Sequence, residues 1–369
     1  MLDHSIAKVE LFRSYLSIYL NILQRAKFID RIYLYDLFAG EGIYEDGEIG
    51  SSIMAGRTIK EHFQANQEPY IKIEYVVNEP EKSLIEKGVK KIDRIRREMA
   101  KIKFPENVSI SYESDPYDKI ISKVISNIKN QSDNERSLIF VDPWGYKEVD
   151  FDDLRIITQS EKTEVILFLP ICFMYRFADR TLSSEPFPGG ESLESLLKQI
   201  FTDDKPDTEN QHAFIKSIKA GFQSKGFSKY VDTFVIERSK GQYFCLFFFT
   251  NNQTGMRKML EAKWSQDEEQ GYGFRFDRAQ GSLFSGVSSS DYTSKLQNHL
   301  RESNKLTNHE VYEFGLLNGH LPKHSNQVIN EMKNRGICKI RSLDGGPERG
   351  NYIDNTKRRV EFIYKGKQV

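Results

Sequence analysis

Apolar residues recur at helical spacing at Val9, Phe12, Leu16, Tyr19, Leu20 and Leu23, which predicts an amphipathic helix over residues 5–25. The run from Arg31 to Leu37 is β-rich and continuous, as a strand buried on both faces should be. The same alternation then repeats. Strands are predicted at Ile71–Val77, Val108–Tyr112, Ser137–Val141 and Thr163–Leu169. Helices are predicted from Pro80 to about Lys103, over Tyr117–Ile128 and over Phe151–Gln159. Five strands alternating with helices predict an α/β fold with a doubly wound, mostly parallel sheet.

Further along, residues 179–212 are rich in Ser, Gly, Pro and Asp and read as an inserted loop with a short helix. A helix over Ala213–Gln223, strands at Tyr230–Glu237 and Tyr243–Thr250, and a helix over Gly255–Trp264 follow. Leu246 to Phe249 read as sheet core. Residues 265–290 have linker composition. The last segment holds three helical patterns, at Tyr292–Ser303, after the capping box Thr307-Asn308-His309-Glu310, and at Ser325–Arg335. Two strand patterns follow, Ile337–Arg341 and Tyr352-Ile353, around a Gly-rich loop. Three helices and a β-hairpin are the order of a winged helix. The expected division is therefore a Rossmann-like domain over 1–288 and a winged-helix-like module over 289–369.

Charge changes this picture only locally. The 53 basic and 53 acidic residues cancel, so the whole-chain field selects no partner. Residues 291–369, however, carry 14 Lys and Arg against nine Asp and Glu. Lys323, Asn326 and Lys333 decorate the third helix, and Arg349 falls in the wing, residue types that suit base and phosphate contacts. The same module type also docks proteins, so both readings stand. Cys172, Cys245 and Cys338 lie scattered in apolar runs and read as reduced core residues. The seven histidines match no zinc spacing. The N-terminus shows no signal-type apolar region and no stretch is long enough to span a membrane, so a cytoplasmic protein is expected.

Ligands of open parallel sheets bind outside the carboxyl ends of the strands. Those ends carry Asp36-Leu37-Phe38-Ala39-Gly40-Glu41-Gly42, then Glu79, then Asp115, then Asp142-Pro143-Trp144-Gly145-Tyr146. Gly40 and Gly42 permit a tight turn and close approach of a ligand. Glu79 stands where an acid can accept from ribose hydroxyls, and Asp115 where one can accept from an adenine amino group. There is no Gly-Lys-Ser/Thr, which excludes a P-loop, and Glu45 stands where a dinucleotide fingerprint has its third glycine. Glu41 and Glu45 would repel a pyrophosphate; a phosphate-free cofactor carrying a sulfonium cation suits them better. Ser51 or Ser52 is expected to cap the helix that follows. Asp142 can hold an amine, and Trp144 or Tyr146 can stack on a flat substrate; the competing reading has Asp142 only shaping the cofactor pocket and Trp144 in the core.

At these residues the chain resembles the class I S-adenosylmethionine-dependent methyltransferases. More narrowly, it resembles the three-Cys-motif partner (TcmP) family, through Tyr35-Asp-Leu-Phe-Ala-Gly-x-Gly-x-Tyr44, Gly50-Ser51 and Phe140-Val141-Asp142-Pro143-Trp144-Gly145-Tyr146. The resemblance covers most of residues 1–265. It implies S-adenosylmethionine as cofactor, with Asp36, Phe38, Ala39, Gly40, Gly42 and Glu79 in its pocket and Asp142 on the methyl-acceptor side. It also implies a bacterial or mobile-element gene cluster and a partner encoded nearby that bears the three-Cys motif. Two departures stand out: about ten residues separate the glycines from the next helix, and Trp144 replaces the second proline of the usual amine-methylating motif. The resulting expectation is a methyltransferase acting on DNA or RNA, with a non-catalytic protein of the same fold as the alternative.

Overall fold

The computed structural model describes residues 3–44, 47–65, 70–80, 84–85, 88–181, 191–201, 205–239, 242–266, 273–275, 289–345, 353–354 and 358–366. The chain forms two compact units, one over Met1–Ala262 with Tyr272–Phe276 and one over the remainder.

The first unit runs α1 (Asp3–Arg25), β1 (Arg31–Asp36), α2 (Ser51–Ala65), β2 (Lys72–Asn78), β3 (Leu84–Ile85), β4 (Val89–Lys90), α3 (Lys91–Met99), β5 (Val108–Glu113) and α4 (Tyr117–Asn130). It continues with β6 (Glu135–Val141), α5 (Phe151–Thr158), β7 (Thr163–Leu169), α6 (Ile171–Thr181), α7 (Glu191–Ile200), α8 (Gln211–Ser224), β8 (Tyr230–Ser239), β9 (Gln242–Thr250), the greater part of α9 (Gln253–Gln266) and β10 (Gly273–Arg275). Eight strands form one sheet in the order β10-β8-β9-β7-β6-β1-β2-β5. β5, β2, β1, β6 and β7 are parallel, whereas β9 runs antiparallel to both β7 and β8. The fold is Rossmann-like, and the reversed β9 sets it apart from an all-parallel dinucleotide sheet.

Burial explains the strands: all seven residues of β7 and the last five of β6 are buried, as covering helices on both faces require. Leu246 to Phe249 are core, as expected. From β1 the chain moves outward to β2 and β5, then returns to the other side of β1 for β6 and β7. The strand order therefore switches between β1 and β6, and the crevice at their carboxyl ends is where such a sheet offers a ligand site. α1 lies against this part of the sheet, with Phe12 stacked on Phe140 at 4.4 Å and Tyr15 edge-on to Phe248.

The stretch after β2 differs from the expected long helix. β3 and β4 pair as a short antiparallel hairpin, and Gly88 adopts φ +77°, so the helix begins only at Lys91. A left-handed glycine followed by β-branched Val89 turns the chain before a helix can propagate.

The second unit contains α10 (Ser289–Ser303), β11 (Lys305–Thr307), α11 (Asn308–Leu317), α12 (Pro322–Asn334), β12 (Cys338–Ser342) and β13 (Val360–Tyr364). The strands form an antiparallel sheet in the order β11-β13-β12. The capping box forms as expected: Thr307 Oγ1 accepts from the Glu310 N–H, and Glu310 accepts from the Thr307 N–H. The expected strand at Tyr352-Ile353 is corrected. Tyr352 is outside the described residues, and Ile353 is buried in a turn, where it plugs the core without joining the sheet. Val360 to Tyr364 pair with both other strands instead. Among the described residues no helix is long and apolar enough to cross a membrane.

Candidate functional site

β1 delivers Asp36 to the switch point fully buried. Its Oδ2 accepts a 2.7 Å hydrogen bond from Ser51 Oγ, while Oδ1 has no partner. Burial raises its pKa to about 7 against the lowering bond from Ser51; Asp142 and Glu79 push it further up, and Lys8 pulls it down. Ser51 thus does not cap α2 with its hydroxyl, and the Ser52 hydroxyl is buried without a partner. The backbone explains the change. The Gly50 N–H donates to Gly42 O at 2.6 Å and the Met54 N–H to Gly50 O, so the helix starts from the glycine.

The loop between β1 and α2 has its own geometry. Gly40 and Gly42 adopt φ +65° and +72°. A Cβ on Gly42 would lie 2.7 Å from Ile95 Cγ1, whereas one on Gly40 would meet nothing within 4 Å. The late start of α2 is accompanied by a bridge between Ile43 and Ile49 and a Tyr44 N–H bond to Glu48 O. Glu45 lies outside the described residues. Glu41 is 3.7 Å from the guanidinium of Arg94.

Three other strand ends close around the loop. Glu79 is buried and its Oε2 accepts the Gly40 N–H at 2.7 Å. Asn78 is a residue the sequence did not single out. Its Nδ2 donates to Leu37 O and Asp115 O, and its Oδ1 accepts the Asp115 N–H, so one amide ties the ends of β1 and β5 together. Its backbone carbonyl also receives the Ala39 N–H. Phe38 is buried and stacks on Tyr117 at 5.8 Å. Asp115 pairs with Lys123 at 2.6 Å. Tyr44 is pushed up to about 12 by burial first, then by Asp142, Glu41, Asp36 and Glu79, so these carboxylates converge on one place.

Past β6, Asp142 forms an ion pair with Lys8, a buried lysine of α1 whose ammonium also sits 4.7 Å from the Phe168 ring centroid. Nothing in the local sequence signals this, because the partners are 134 residues apart. Trp144 is 74% exposed, which removes the core reading. Lys91 Nζ lies 4.6 Å from its ring centroid, and Lys91 is buried. The backbone of Tyr146 opens a short 3₁₀ turn; its side chain is outside the described residues.

Lys323 and Lys333 are exposed on α12. Asn326 is half-buried and donates back to Pro322 O of its own helix. Arg349 is outside the described residues. His324 accepts the Leu321 N–H through Nδ1 at the start of α12. All three cysteines are buried and free, and no metal-type cluster occurs among the described residues.

The fold and site define a Rossmann-like protein with Asp36, Glu79 and Asp142 gathered at the strand ends of its switch point. No family model matches the chain, and no curated protein does. Among solved structures, a Legionella pneumophila protein assigned to DUF519 aligns at TM-score 0.35 with 10% identity, over 70% of this chain and 91% of that one. A DUF574 family protein from Streptomyces avermitilis aligns at 0.30 with 8% identity, over 65% and 82%. With scores this low, the functional reading rests on the site's own geometry.

Proposed function

We propose that the first unit binds S-adenosylmethionine in the β1/β6 crevice and is a methyltransferase of the class I type, related to the three-Cys-motif partner family and acting on nucleic acid. The observation that carries this is the gathering of Asp36, Glu79 and Asp142 around two left-handed glycines at the switch point. The residues fit the group. Asp36 Oδ1 is a buried acceptor with no partner, the space beside Gly40 is open, and the carboxylates favour a cation and disfavour phosphate.

When bound, the cofactor supplies an electrophilic methyl on a positive sulfur. Gly40 lets the backbone come close, and Glu79 holds the loop through the Gly40 N–H while standing where ribose hydroxyls can donate. Phe38 on Tyr117 forms an apolar wall, and Asp115 stands at the adenine end. Asp142 faces the acceptor, where its carboxylate can orient an amine, and exposed Trp144 offers a ring for a base to stack on. In the second unit, Lys323 and Lys333 lie exposed on α12, in the position of a recognition helix.

Calorimetry should show S-adenosylmethionine binding that Glu79→Ala weakens at least tenfold. Labelled methyl should pass to DNA or RNA and fail to do so in Asp142→Ala. A gel shift should lose roughly one unit of salt slope with Lys333→Gln. No heat with folded protein sinks the cofactor reading; binding without transfer to any nucleic acid sinks the enzyme reading.

One feature favours the non-catalytic alternative. A cleft of about 570 Å³ beside Tyr117 is lined by Asp118, Glu148, Asp150 and Glu191 with Lys147. Such a wall suits a basic protein partner better than a phosphate backbone. Methyl transfer to nucleic acid decides between the two.

A further inference from the structure

Lys8 reaches the site by simple geometry. Phe12 packs on Phe140, and Lys8 is one helical turn earlier in α1, while Asp142 is two residues after Phe140, just past the end of β6. A turn of helix and two residues of strand both span about 6 Å, so an α1 running opposite to β6 places the ammonium on the carboxylate. A buried lysine side chain, 9% exposed, is costly unless paired, and this one has both Asp142 and the face of Phe168. Lys8 also joins the Ser51 hydroxyl in favouring the charged form of Asp36 against its carboxylate neighbours. The groups that face Asp36 are Ser51 on α2, Tyr44 in the loop, Glu79 after β2 and Asp142 after β6, and of these Glu79 and Asp142 are carboxylates.

Resting on the cofactor reading, we propose that Lys8 is a positioning residue of this site: its ammonium fixes the Asp142 carboxylate and sets the net charge that the crevice presents to a cationic ligand. Methyl transfer discharges the sulfonium, so a crevice that bound the cation too well would stabilise the ground state and oppose the reaction. Lys8 limits that over-stabilisation. It also fills the side of Asp142 turned to α1, so an acceptor amine must approach from the opposite side.

The test compares S-adenosylmethionine with its neutral thioether product by calorimetry on wild type, Lys8→Met and Lys8→Arg at pH 8.5, together with an infrared titration of the Asp36 carboxyl in each apo protein. Asp36→Asn identifies the Asp36 band. With Lys8→Met the preference for the cation over the thioether should grow roughly tenfold, the effect of removing one nearby charge. The Asp36 midpoint should rise, because a lowering influence is gone. Lys8→Arg should restore both values. Equal weakening of both ligands with an unmoved Asp36 midpoint would overturn the proposal and leave Lys8 a packing residue. If wild type binds neither ligand, the cofactor reading falls, and the Asp36 midpoint alone decides for or against Lys8. Lys8→Gln replaces Lys8→Met should the latter not fold.

Discussion

Gly40 and Gly42 sit two residues apart in one loop, both with positive φ, yet their replacement by alanine should fail in opposite ways. A non-glycine residue in the left-handed region costs about 1–2 kcal/mol at either position. At Gly42 the new methyl would also lie 2.7 Å from Ile95 Cγ1, the inner methylene of a side chain with no exposed surface. Overpacking a core by one methyl costs a further ~1–3 kcal/mol, so Gly42→Ala should lose about 2–5 kcal/mol in all. At Gly40 the methyl meets nothing within 4 Å, so only the backbone cost applies. Under the proposed cofactor binding, that open space is where the backbone would admit the ligand. Gly40→Ala should therefore stay folded and lose S-adenosylmethionine affinity at least tenfold. Urea melts of both variants measure the stability difference, and calorimetry on Gly40→Ala measures the binding loss. Gly40→Ala binding like wild type, or losing as much stability as Gly42→Ala, would refute the reasoning.

Glu164 gives a pH prediction. It is buried in β7, accepts from Tyr15 Oη at 2.5 Å and Thr250 Oγ1 at 3.0 Å, and burial raises its pKa to about 7. Below its ordinary value near 4.5 both folded and unfolded states are protonated. As pH rises from there to about 7, only the unfolded state ionises, so stability should fall by about 3 kcal/mol from this group and then level off. Urea midpoints of Glu164→Gln against wild type should show that slope removed; parallel profiles would contradict it. In the second unit, Thr307→Ala removes the cap of α11 and should cost about 1 kcal/mol in denaturant melts of the full chain, read from the transition of that unit. No change there would mean the capping box contributes nothing to the unit.

The sequence alone determined the alternation of strands and helices. Strands buried on both faces must be continuous apolar runs, and β6 and β7 are legible for that reason. It also marked the strand-end residues and the two glycines, since a left-handed backbone narrows the choice to glycine. The Thr307 box was equally plain, because a cap is a contact across three residues. What only the tertiary structure decided depends on partners far apart in the chain. Lys8 pairs with Asp142 because α1 is laid along β6 by Phe12 on Phe140. Asn78 couples β1 to β5 through a side chain that looks ordinary in sequence. The insertion of β9 between β7 and β8, and the choice of Val360–Tyr364 over Tyr352-Ile353, were also fixed by which edges were left to pair. Hydrophobic periodicity records how each segment is buried, but not which distant segment buries it.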